Sequence, residues 1–151
     1  GGFVPNPSSP MVCTGRTGHA EVIRVEYDPK VVSYDTLLKI FWMSHDPTTP
    51  NRQGDDYGPQ YRSIILYEDD DQKDAARASY RRLKAARAFR SPIVTQLVPL
   101  DAFYPAEPYH QDYYQNHWSE PYSLTVIEPK LYSLESKLHP RAPRAKKKAR
   151  K

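Results

Sequence analysis

Residues 61–98 read YRSIILYEDDDQKDAARASYRRLKAARAFRSPIVTQLV, and they decide the class of fold. Apolar residues crowd into 61–67, which predicts a strand. Four acids follow, Glu68 to Asp71, and open a helix that runs to about residue 88 and ends in Arg and Lys. Acid first and base last is the order a helix dipole favours. Residues 93–98 (IVTQLV) predict another strand. Upstream, residues 33–45 (SYDTLLKIFWMSH) predict a helix, with Ser33 as its cap and Leu37, Leu38, Phe41 and Trp42 on one apolar stripe. Residues 46–60 (DPTTPNRQGDDYGPQ) read as a long polar connection, a length that usually signals a working loop. Residues 20–27 (AEVIRVEY) alternate, with Glu21, Ile23, Val25 and Tyr27 on one face, and predict a strand with that face inward.

Further out the signals weaken. Residues 1–19 are rich in Gly, Pro, Ser and Thr and read as loop. Residues 105–117 (PAEPYHQDYYQNH) read as a short aromatic-rich helix, 119–127 are ambiguous, and 128–138 (EPKLYSLESKL) read as a last helix. Strand, helix, strand, helix, strand makes the fold α+β, a mixed sheet with flanking helices. Three strands are few for two long helices, so further elements are expected ahead of residue 1. The domain is expected to span 1–138, with a basic disordered tail over 139–151.

The 151 residues include 15 Pro and 12 Tyr, are 38% hydrophobic and 26% charged, and carry a net charge of +4. The sign comes from the tail: residues 139–151 hold seven of the 22 basic residues and no acid, which leaves 15 basic against 18 acidic residues, about −3, in the rest. Nucleic-acid binding, if any, would therefore run through the tail, which could equally serve solubility. No apolar run approaches the ~18 residues of a membrane span. A single cysteine, Cys13, excludes an internal disulfide.

Glu21 is the first candidate for chemistry. On an apolar face its carboxyl would have a raised pKa and could remain neutral, able to donate a proton; at the edge of a strand it would simply face solvent. The run GDDYGPQYR offers Asp55, Asp56, Tyr57 and Tyr61 as a polar cluster, or as an ordinary solvated turn. Cys13 lies in a Gly-rich stretch and is expected to be buried and inert. Glu107 and His110 have Glu-x-x-His spacing, but one copy makes no dinuclear site. Asp69 to Asp71 lack the spacing of a calcium loop. Walker, dinucleotide and nucleophile-elbow motifs are absent.

Four stretches go further: VCTGRTGHAEVIRVEYDP (12–29), SYDTLLKIFWMSHDPT (33–48), NRQGDDYGPQYRS (51–63) and FYPAEPYHQDYY (103–114). In order and spacing they resemble the methionine sulfoxide reductase A family over about residues 1–132. The resemblance implies a ferredoxin-like two-layer sandwich whose first strand-helix-strand would lie ahead of Gly1. It implies reduction of methionine S-sulfoxide, free or in proteins, a repair of oxidative damage. A Cys thiolate attacks the sulfoxide sulfur, while a Glu and two Tyr hydroxyls hold and protonate the oxygen. The resulting sulfenic acid is resolved by a second Cys and reduced by thioredoxin or another dithiol, with no bound cofactor or metal. By motif, the site residues are Glu21, Asp56 and Tyr61.

Departures from the family pattern matter as much. Its nucleophile sits in a GCFW motif that does not occur in residues 1–151. Cys13 aligns with the cysteine of VCTG, which is not the nucleophile. Ser9 stands where the second Tyr is expected, and Pro121-Tyr122-Ser123 stands where a resolving Cys often follows Pro-Tyr. Expected, then, is an N-terminally incomplete reductase, inactive as these 151 residues alone. The alternative is a truncated, non-catalytic paralogue. Oxidised proteins or peptides and thioredoxin are the expected partners, the state monomeric, and the location cytoplasmic.

Overall fold

β3 (Ile64–Tyr67) and β4 (Gln96–Pro99) pair in parallel, Ile64 opposite Gln96 and Tyr67 opposite Pro99, in a computed structural model that describes residues 2–139. Parallel neighbours need a crossover, and helix α3 (Asp70–Ala85) supplies it. Asp69 caps α3 by accepting the Gln72 N–H at 2.7 Å. Asp70 and Asp71 occupy the first turn, Arg82 and Lys84 the last. α2 (Tyr34–Ser44) is capped by Ser33, whose hydroxyl accepts the Thr36 N–H at 3.2 Å. The strand–helix–strand order expected from residues 61–98 is thus present, with each strand shorter than its apolar run.

The core lies where α2 and α3 meet this strand pair. Leu38, Trp42, Ile65 and Ala76 are buried there, with Phe41, Tyr80, Leu83 and Leu97 packed around them. The Trp42 indole donates to Ser79 Oγ at 2.8 Å, a buried bond between the two helices. Just past α2, His45 is wired to the strands. Its Nδ1 meets the Phe41 carbonyl at 2.7 Å, so Nδ1 carries the proton. Its Nε2 then accepts from Ser63 Oγ at 2.7 Å, and Ser63 in turn accepts from Thr95 Oγ1 at 2.8 Å. Burial, partly offset by the bond to Phe41, lowers the His45 pKa and favours this neutral form.

Several expectations are corrected. Residues 20–27 form no strand: they find no ladder partner among the described residues, and Ile23 is 87% and Val25 50% exposed. Alternation marks a segment suited to a sheet, but the sheet must be there to turn one face inward. The polar connection 46–60 contains a small antiparallel hairpin, β1 (Arg52–Gln53) and β2 (Asp56–Tyr57), turning at Gly54 with φ +59°. The loop 1–19 holds a short helix, α1 (Ser9–Cys13), opened by Pro10. The helix expected over 105–117 is broken in two, a 3-10 turn (Pro108–His110) and α4 (Tyr113–Asn116), because Asp112 between them has φ +51°.

By its contacts the chain divides after Tyr113. The first unit holds everything up to α4. In the second, a π-helical turn (Ser123–Ile127) continues directly into α5 (Glu128–Leu138), which settles the ambiguous stretch and matches the expected last helix. The Tyr114 hydroxyl donates to the Glu128 carboxylate at 3.2 Å. Apart from His139, the tail expected over 139–151 lies outside the described residues. Helices with a parallel strand pair and a hairpin make an α+β fold.

Candidate active site

Two backbone segments meet at the site: the chain running from α1 through Glu21, and the turn Pro59–Tyr61 that follows the hairpin. The Glu21 N–H donates to the Gln60 carbonyl at 2.9 Å. The Gln60 side-chain amide donates to the Cys13 carbonyl at 3.1 Å. Arg62 completes the clamp: its guanidinium donates to the carbonyls of Gly18 at 3.1 Å, His19 at 3.2 Å and Pro59 at 2.7 Å. A planar fork of fixed donors suits this role, since it can hold several carbonyls at once. Further along, His19 Nε2 meets the Val4 carbonyl at 2.7 Å, and its ring packs edge-on to Tyr104 at 5.5 Å.

Glu21 opens into a cleft of about 770 Å³ whose walls include Cys13, His19, Phe103, Tyr104 and His110. Part of its side chain meets solvent, yet the protein packed around its carboxyl raises its pKa. His110 works in the opposite direction, and the Asp56 charge adds to the rise. Tyr61 is also raised, first by burial and then by the negative charges of Glu21, Cys13 and Asp56, with the neighbouring Gln60 amide working the other way. Asp56 is therefore close enough to act on Glu21, and both are close enough to act on Tyr61. Asp56, on β2, is exposed; neither it nor Tyr61 lines the cleft itself. The chemistry such a group offers is a carboxyl that stays protonated to higher pH than usual, beside a phenol that holds its proton.

Cys13 departs from expectation. It is exposed, at the C-terminal end of α1, with Sγ 4.0 Å from Glu21 Oε1. A pattern of small residues could not tell a buried thiol from one at a cleft wall. Ser9, where a second phenol was expected, is engaged elsewhere: its N–H donates to Glu107 Oε1 at 2.9 Å and its hydroxyl to the other carboxylate oxygen. Those two bonds hold the Glu107 carboxyl below its usual range. Gln60 and Arg62 had no role in the sequence reading. Their adjacency to Tyr61 was the one available signal. Among the described residues, no three His, Cys, Asp or Glu side chains converge as metal ligands, and no helix is long and apolar enough to cross a membrane.

A sequence profile described as peptide methionine sulfoxide reductase matches residues 1–142. Similar proteins include a "Peptide methionine sulfoxide reductase MsrA" of Sulfolobus acidocaldarius, 52% identical over 131 residues, covering 87% of this chain and 73% of the relative. Another so named, from Polynucleobacter asymbioticus, is 47% identical over 137 residues, covering 91% and 72%. Among solved structures, methionine sulfoxide reductase A of Corynebacterium diphtheriae superposes with a TM-score of 0.67 at 36% identity, over 80% of this chain and 61% of that one. Mxr1 from Saccharomyces cerevisiae in reduced form gives 0.70 at 36% identity, over 75% and 61%.

Proposed function

This chain belongs to the peptide methionine sulfoxide reductase family, and on that premise we propose that it carries the proton-donating part of a site that reduces methionine S-sulfoxide. The observation that supports the reading most is Glu21: a carboxyl with a raised pKa in the wall of a cleft, near enough to Asp56 to be influenced by it and near enough to Tyr61 to act on it. As a thiolate attacks the sulfoxide sulfur, the S–O bond breaks and the oxygen gains negative charge. A neutral Glu21 would give that oxygen its proton, and the Tyr61 hydroxyl would hold it. The protonated oxygen departs as water and leaves the two sulfurs joined; a water then adds to the attacking sulfur, which becomes a sulfenic acid as the methionine leaves as a thioether, and thioredoxin or another dithiol later reduces it.

The thiolate is the part that residues 1–151 do not supply in family form. GCFW does not occur in them, and Cys13 corresponds to another cysteine. In this reading the nucleophile comes from sequence outside these residues, and the 151 residues alone do not turn over. The test is stereospecific consumption of methionine S-sulfoxide, with a dithiol, by the protein isolated from its source. The S-epimer should be reduced and the R-epimer left. A source protein that reduces neither epimer with any dithiol overturns the reading. That result would favour the second reading, a non-catalytic paralogue, for which the engagement of Ser9 by Glu107 already speaks.

A further inference from the structure

Gln60 is buried, 4% exposed, in a turn whose neighbours Pro59 and Tyr61 are not. Long amides seldom sit inside unless something holds them there. Two contacts do. The backbone carbonyl accepts the Glu21 N–H. The side-chain NH₂ donates to the Cys13 carbonyl. One residue of the turn that carries Tyr61 thus ties down both the Cys13 and the Glu21 segments.

Its seat is cut to shape by two glycines. Gly58 has φ +142° and Gly15 has φ +70°, conformations a side chain rarely adopts. A Cβ on Gly58 would lie 2.3 Å from Gln60 Oε1, and one on Gly15 would lie 3.1 Å from it. The backbone therefore closes around the amide from the hairpin side and from the α1 side. Oε1 itself is buried without a hydrogen-bond partner among the described residues. An orphaned acceptor is costly, so stability alone does not explain why an amide occupies this seat.

We propose that Gln60 is a positioning residue that fixes the Glu21 segment against the turn that carries Tyr61. The proposal rests on the reading that Glu21 and Tyr61 meet the sulfoxide oxygen. Through the Cys13 carbonyl and the Glu21 amide, Gln60 keeps the Glu21 segment packed down, which maintains the partial desolvation of its carboxyl. Loss of the side-chain amide should therefore lower the Glu21 titration while the core stays as it is, a signature that general loosening does not produce.

The experiment is NMR titration of Glu21 in the full 151-residue chain and in Gln60→Met, which keeps length and volume but has no N–H to donate. Expected is a fall in the Glu21 midpoint toward the ordinary carboxylate value, with unchanged resonances for Trp42 and Ile65 in the core. A Glu21 midpoint that stays put, or that falls only together with shifts in the core resonances, overturns the proposal. Should Gln60→Met not fold, the unsubstituted chain decides. There the Gln60 side-chain NH₂ resonances should follow the Glu21 midpoint, and resonances indifferent to it overturn the proposal. Turnover by the source protein is a separate readout: its absence with these titrations as expected would remove the sulfoxide reading and leave the positioning role.

Discussion

Glu21 carries the sharpest consequences. Its pKa is raised, chiefly by desolvation, so as a donor it is competent below that value and loses its proton as the pH rises through it. Sulfoxide reduction by the source protein should therefore fall on the alkaline limb with a midpoint above that of an ordinary Glu. Glu21→Gln should cost about 10²–10⁴-fold in kcat, the range for one general acid, and should remove that limb. A rate unchanged at all pH values would take Glu21 out of the reaction. The direction of its shift was legible in the sequence, but for a reason that fails: Glu21 has no inward strand face to sit on, and the cleft wall near Cys13 provides the desolvation instead. Asp56 and Tyr61 were offered by a polar turn and singled out within it by motif. Gln60 was out of reach, because a buried amide in a polar turn obeys no period.

Helices were the legible elements. Ser33 and Asp69 both cap as their chemistry suggests, and Ser33→Ala should lower stability by about 1 kcal/mol, measurable by urea denaturation. Trp42→Phe should cost about 1–3 kcal/mol, since it leaves the buried Ser79 hydroxyl without its partner. His45 shows what pattern could not reveal, because its role depends on Ser63, 18 positions along the chain, and on Thr95, 32 positions beyond Ser63, which meet only in the fold. Its folded pKa lies below the ordinary histidine value of about 6.5. The neutral imidazole therefore contributes stability that is present above that value and is lost as the pH falls through the folded one. Melting temperature should decline on acidification below about pH 6.5, and His45→Phe should flatten the decline. Equal slopes in the two proteins would place the acid sensitivity elsewhere. Strand signals were the weakest, since residues 20–27 have the alternation without the neighbour.

For the whole molecule, that unpaired segment matters most. Ile23 and Val25 expose apolar surface on chain free to add to another sheet, a recognised route to association. In solution, sedimentation should show concentration-dependent self-association of the 151 residues, and Ile23→Lys should reduce it. A chain that stays monomeric at high concentration would show that the segment is protected in some other way. Charge at this scale was fully legible, because the acidic body and the basic residues 139–151 are matters of counting. Nucleic acid is not the expected partner, so any retention on DNA at low salt should vanish when 139–151 are deleted, while the sulfoxide chemistry stays intact.

The parallel pairing of β3 with β4 also fixes an order of events. The two strands can pair only when the connection that carries α3 crosses back over them, so strand pairing and helix docking are expected to be acquired together. Pulse-labelling hydrogen exchange during refolding should show Ile65 and Ala76 becoming protected in the same kinetic phase. The residues that frame the candidate site on one side, Gln60 to Ser63, are joined directly to β3, and would inherit their timing from that step.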